Sequence, residues 1–148
     1  RYSNVYGPRQ DPKSEAGVIS IFVSRLLAGR PLTVFGDGQQ TRDYVFVKDV
    51  ARASVLASSR SLAPSDGIDT SAFNIGTSIQ RSVLDLAQSV GAAMETTPDL
   101  EFAPSRPGEL LHSALKISKA KDTLGWTPMC SFEDGLEQLI AWFRQEAE

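Results

Sequence analysis

The chain has 148 residues, 41% hydrophobic and 22% charged, with a net charge of −3; that is enough apolar mass for one domain with a sizeable core, and no basic surplus of the kind that binds nucleic acid. A single cysteine, Cys130, and a single histidine, His112, exclude an internal disulfide and a zinc cluster built on soft ligands. No apolar stretch approaches the roughly 18 residues that span a bilayer, and the opening residues do not read as a secretory leader, so no membrane partner is expected and a reducing, cytoplasmic setting is.

Tyr2 to Val5 reads as the end of a strand, followed by turn chemistry in YGPRQDP. Ile19, Phe22, Val23 and Leu26 recur at i, i+3, i+4 and i+7 and predict a helix, closed by Gly29 with Pro31 behind it. Leu32 to Phe35 predicts a short strand, and Tyr44 to Val47, rich in β-branched and aromatic residues, another. KDVARASVLASSR reads as a helix with Asp49 near its N-terminus, and SLAPSDGIDTS as a loop.

Ala72 to Ile75 predicts a strand ending at Gly76. Ser82 and Asp85 have the spacing of a capping box, ahead of a helix striped by Val83, Leu86, Ala87, Val90 and Met94. Leu100 to Ala103 predicts a strand, and PSRPGE a loop. Ser118 to Leu124 predicts a short helix stopped by Gly125, and Ser131 opens a last helix that buries Leu136, Leu139, Ile140 and Phe143. Strands and helices alternate, which argues for α/β or α+β.

Tyr44 and Lys48 are four apart, the spacing of the Tyr-x-x-x-Lys pair of short-chain oxidoreductases. That pair works on a helix, where such residues stand about 5–6 Å apart. On a strand they would be about 13 Å apart, at about 3.3 Å per residue, and the chemistry fails on distance. Arg42 follows the glycine turn GDG, and Arg106 lies in SRPGE. On composition alone both read as solvated surface charges; a fold that joined them could let their planar forks grip a diphosphate. Asn4 and Asn74 each close a predicted strand and either could simply satisfy its backbone. Glu109 reads equally as a hydroxyl acceptor or an exposed loop acid.

The segments RYSNVYGPRQDP, GVISIFVSRLLAGRPLTVFGDGQQTRDYVFVKDVARA, FNIGTSIQRSVLDLAQSVG, RPGELLHSALKISKAKDTLGWTP and SFEDGLEQLIAWFR follow one another in a familiar order. From Arg1 to about Arg144 the chain resembles the C-terminal half of an extended short-chain dehydrogenase/reductase, and within that group the NAD-dependent nucleotide-sugar 4-epimerases. GDGxxTRDYVxVxD and RPGE…S…ISKAKxxLGW are specific for the superfamily and much less so for the substrate.

The resemblance implies an α/β fold: the last strands and helices of a Rossmann-type sheet plus a small mixed lobe, with residues 1–148 the substrate-binding portion. It implies a parent enzyme, a homodimer, that inverts C4 of a UDP-hexose through a 4-keto intermediate with NAD as cofactor. Arg42 and Arg106 would reach the diphosphate, as would Asn4. Glu109 would accept ribose hydroxyls, where the family more often has aspartate. Val18, the strand Leu32 to Phe35 (Leu32, Val34 and Phe35 in particular), Tyr44 and Ile79 match positions lining the uridine pocket. Asp43 is expected to brace the turn that aims Arg42.

No catalytic residue is expected among these 148. The glycine-rich G-x-x-G-x-x-G turn that seats NAD, the helical Tyr-x-x-x-Lys and the catalytic Ser or Thr would lie upstream of Arg1, and alone the chain would be inactive. Two alternatives stay open: a related dehydratase, decarboxylase or GDP-sugar epimerase, and a non-catalytic nucleotide-sugar binding module.

Overall fold

The computed structural model describes residues 1–10, 17–60 and 67–146. Asp11 and Pro12 of the first expected loop, and residues 61–66 of the second, lie outside the described residues. Strands β1 (Asn4–Tyr6), β2 (Leu32–Phe35), β3 (Thr41–Phe46), β4 (Gln80–Ser82), β5 (Leu100–Ala103) and β6 (His112–Ser113) alternate with helices α1 (Val18–Leu27), α2 (Val47–Ser58), α3 (Ile68–Ser71), α4 (Val83–Ala93) and α5 (Phe132–Glu146). Strand β3 is the hub. It pairs in parallel with β1 through residues 44–46, antiparallel with β4 and parallel with β6 through its first residues, while β2 and β5 form a separate parallel pair. This is a mixed α/β architecture with parallel pairings, one of the two classes that the alternation left open and the one that the resemblance implies.

Both faces of β3 are covered, which is why its sequence does not alternate polar with apolar. Tyr44 and Phe46 join a core under α1, α4 and α5 that contains Phe22, Leu86, Leu136 and Leu139. Val45, on the opposite face, joins Val50, Phe73, Leu124 and Trp126. Trp126 is fully buried and its indole N–H donates to the Asp49 carbonyl at 3.0 Å, so a large ring is placed without stranding its polar atom.

Four local expectations need correction. The strand of β3 starts at Thr41 and ends at Phe46, and Val47 already opens α2. The helix start is fixed by the buried Asp49, whose carboxylate accepts from the Met129 N–H at 3.0 Å and the Cys130 N–H at 2.9 Å; this tertiary anchor overrides the β-propensity of the valine. Residues 72–75 form no strand, and Ile75 makes one isolated bridge to Tyr2. The Ala72 carbonyl is taken by Lys119 Nζ at 3.0 Å, and the Phe73 and Ile75 carbonyls accept from the backbone nitrogens of Arg1 at 2.8 Å and Ser3 at 2.9 Å, a pairing too short to count as a strand. Asn4 opens β1 where it was expected to close a strand. The loop expected at 61–71 ends in the single helical turn α3, Ile68–Ser71. The short helix expected at 118–124 forms as read, its residues Ala120–Leu124 in a π-helical turn closed by Gly125 at φ 68°.

The capping box forms in full: the Ser82 hydroxyl accepts from the Asp85 N–H at 3.0 Å, and the Asp85 carboxylate from the Ser82 N–H at 2.9 Å. Strands β4 and β6 were not expected; at three and two residues they carry too little pattern to read. No described helix is long and apolar enough to cross a membrane.

Candidate functional site

Between α1, β2, β3 and the loop after β5 lies a cleft of about 520 Å³. Its walls follow from the periodicity of the elements. On α1, Val18, Ile21 and Arg25 line it, at i, i+3 and i+7, one helical face. On β2 the side chains alternate: Thr33 and Phe35 face the cleft, while Leu32 and Val34 are fully buried in the opposite direction. On β3, Arg42 and Tyr44 point the same way for the same reason.

The glycine turn sets the direction of β3. Gly38 has φ 75°, and a Cβ there would come within 2.8 Å of Leu84 and 2.9 Å of Val34. Only glycine lets the chain pass that close. Asp43, buried beneath the next residue of β3, accepts from the Thr77 N–H at 2.8 Å and hydroxyl at 2.7 Å, the Ser78 N–H at 3.0 Å and the Leu115 N–H at 3.3 Å. Gly76 makes room for it, since a Cβ there would be 2.5 Å from the carboxylate. Asp43 was expected to brace the glycine turn before Arg42. It clamps instead the 77–78 turn and the chain at Leu115 onto β3.

Arg42 ties the cleft's loop to the sheet. Its Nη1 donates to the carbonyls of Thr41 at 2.8 Å and Leu110 at 2.7 Å, and its Nη2 to Glu109 Oε1 at 3.3 Å. Arg106, on the same loop, stacks with its guanidinium carbon 4.0 Å from the centre of the Phe35 ring. Arg25 donates Nε to the Pro31 carbonyl at 2.6 Å. Three guanidinium groups and one carboxylate thus line one cleft, with an aromatic floor. The arrangement suits a ligand that is anionic at one end and planar and apolar at the other.

Tyr44 is 6% exposed, and burial pushes its phenol well above the ordinary tyrosine value, with Arg42 opposing and Glu109 reinforcing the shift. A phenol held protonated is a poor base. Lys48 stands on α2, not on the strand of Tyr44, and its Nζ donates to Gln138 Oε1 at 2.6 Å.

The cleft brings together seven of the expected residues: Asn4, Val18, Phe35, Arg42, Tyr44, Arg106 and Glu109. It leaves out Leu32 and Val34, which the strand alternation turns into the core. Ile79 is 56% exposed and borders a different groove, of about 360 Å³, shared with Arg81 and Phe132. Ile21, Arg25 and Gln40 line the cleft and were not anticipated. For the first two a signal existed, the helical spacing from Val18.

The NAD dependent epimerase/dehydratase family matches residues 1–76. The chain is 42% identical over 146 residues to a UDP-glucose 4-epimerase of Mycolicibacterium smegmatis, an alignment covering 99% of this chain and 45% of that protein. It is 32% identical over 153 residues to a dTDP-glucose 4,6-dehydratase of Neisseria gonorrhoeae, covering 95% of this chain and 42% of the other. In three dimensions it superposes on the UDP-glucose 4-epimerase of Thermotoga maritima with UDP-glucose, at a TM-score of 0.91 and 41% identity, over 100% of this chain and 46% of that one. The chain therefore spans less than half the length of the relatives it matches. With the alternating elements, the cleft and a family match over half its residues in agreement, the chain belongs to the NAD dependent epimerase/dehydratase family.

Proposed function

We propose that the cleft binds a UDP-sugar, and that residues 1–148 are the substrate-binding portion of an NAD-dependent nucleotide-sugar 4-epimerase acting at C4 of a hexose. The observation that carries this reading is the convergence of Arg42 and Arg106 on one cleft with Phe35 and Glu109. The guanidinium groups offer donors to a diphosphate, Phe35 and Val18 offer an apolar wall to a base, Glu109 accepts ribose hydroxyls and Asn4 donates at the diphosphate.

The residues here do not fit NAD. The one G-x-G turn, at Gly36 to Gly38, feeds strand β3, whereas a dinucleotide pyrophosphate rests on a glycine turn that opens a helix. Cofactor binding and the acid–base tyrosine thus fall to other parts of the parent enzyme, and this chain's share is to hold and orient the substrate. Calorimetric titration with UDP tests the reading. Saturable binding is expected, weakened about tenfold or more in Arg106→Ala, with no sugar turnover by the chain itself when NAD is added; equal affinity in both chains would overturn it.

A second reading rests on the 32% identity to a dTDP-glucose 4,6-dehydratase. Glu109 separates the two. A ribose offers its carboxylate two hydroxyls and a deoxyribose one, so a preference for UDP over dTDP supports the epimerase reading.

A further inference from the structure

Arg42 is already engaged. Both hydrogens of Nη1 go to backbone carbonyls, and Nη2 meets Glu109, while Nε has no partner among the described residues. A guanidinium grips an anion with two parallel bonds along an edge, and Nη2 belongs to both edges that carry such a pair. An anion docking on Arg42 in that way therefore arrives at the place where the Glu109 carboxylate sits. Neither side chain is free in water; they are 18% and 28% exposed. Arg25 and Arg106 line the same cleft, so without Glu109 it would be a general trap for anions.

Resting on the reading of the cleft as a nucleotide site, we propose that Glu109 is a specificity-determining residue: it makes the cleft take ligands that present an anion and a hydroxyl donor together, and disfavour bare anions. A bare pyrophosphate must displace the carboxylate from Nη2 or lie beside it as a like charge, and gives it no hydrogen in return. A nucleoside diphosphate displaces the same contact, then restores it by donating ribose hydroxyls to the released carboxylate. The glutamate length matters. At 3.3 Å the contact is near the limit of a hydrogen bond, and a side chain one methylene shorter falls away from Nη2.

The test is titration calorimetry of the wild-type chain, Glu109→Gln and Glu109→Asp, each with inorganic pyrophosphate and with UDP. Glu109→Gln is expected to tighten pyrophosphate about fivefold, the scale of a partly exposed ion pair, and Glu109→Asp, which loses the contact but keeps the charge, by less. Glu109→Gln is expected to weaken UDP by a similar factor, and Glu109→Asp to hold UDP within about twofold. Opposite signs for the two ligands in Glu109→Gln are the signature that a merely structural role would not give. UDP binding without that reversal, or pyrophosphate affinity unmoved by both substitutions, overturns this proposal alone. Absence of UDP binding to the wild-type chain overturns the nucleotide reading and this proposal with it.

Discussion

The Arg106 guanidinium lies over the ring of Phe35, its carbon 4.0 Å from the ring centre, so a residue of the loop after β5 is positioned by the last residue of β2. The two strands are parallel neighbours with Phe35 opposite Ala103, and the short loop from Ala103 brings Arg106 back over its partner strand. A cation held against an aromatic face is pre-oriented at a cost already met in the free protein. Phe35→Leu keeps an apolar floor and removes the stack. UDP affinity is expected to fall about threefold, from a loss on the order of 0.5–1 kcal/mol, and calorimetric titration reads it. An unchanged dissociation constant would show that the stack positions nothing.

Asp43 holds three segments together with four hydrogen bonds from a buried carboxylate. Asp43→Ala leaves the N–H groups of Thr77, Ser78 and Leu115 without their acceptor, and unpaired buried donors cost more than the lost bonds alone suggest. A destabilisation of about 3 kcal/mol is expected in urea unfolding, with Asp43→Asn less damaging because it keeps one carbonyl acceptor. Equal midpoints for wild type and Asp43→Ala would refute the clamp.

The Asp85 carboxyl is held below its ordinary value by the Ser82 backbone N–H, then by the Ser82 hydroxyl and, less, by Arg81. A depressed folded-state pKa stabilises above the unfolded value near 4 and is lost as pH falls through the folded one. Asp85→Asn should therefore flatten the acid limb of the stability curve below about pH 4. Ser82→Ala should cost about 1 kcal/mol at neutral pH. Thermal melts at pH 7 and pH 3 check both, and an acid limb identical in wild type and Asp85→Asn would count against the capping box as its source.

Tyr44 behaves in the opposite sense. Burial raises its folded-state value, as it does for Tyr6, whose hydroxyl donates to the Phe132 carbonyl at 3.2 Å. The folded chain keeps these protons after the unfolded chain begins to lose them, so their contribution is whole below about pH 10 and erodes as pH rises further. Tyr44→Phe should make stability fall less steeply between pH 9 and pH 11 in urea titrations. Parallel curves for the two chains would place Tyr44 in a more solvated setting than this one.

Elements whose signal is local were legible from the amino acids alone. The α1 stripe, β2, β5, the Ser82–Asp85 box and the left-handed Gly29 each depend on neighbours within a few residues, and hydrophobic period, turn chemistry and capping are local physics. The resemblance added the identity of Arg42, Arg106 and Glu109 as a set. Tertiary structure alone decided where β3 becomes α2, because Asp49 is fixed by backbone groups some 80 positions away. It decided that residues 72–75 would make only a single bridge, to Tyr2 ahead of β1, with the Ala72 carbonyl taken by Lys119. It also decided which side of β2 would face the cleft: Leu32, Val34 and Phe35 look equally apolar in sequence, and only the packing of α1 and α4 shows that the first two are core and the third is floor. The pairing of Arg42 with Glu109 belongs to the same class, since the fold sets side by side two charges that stand 67 positions apart in the chain.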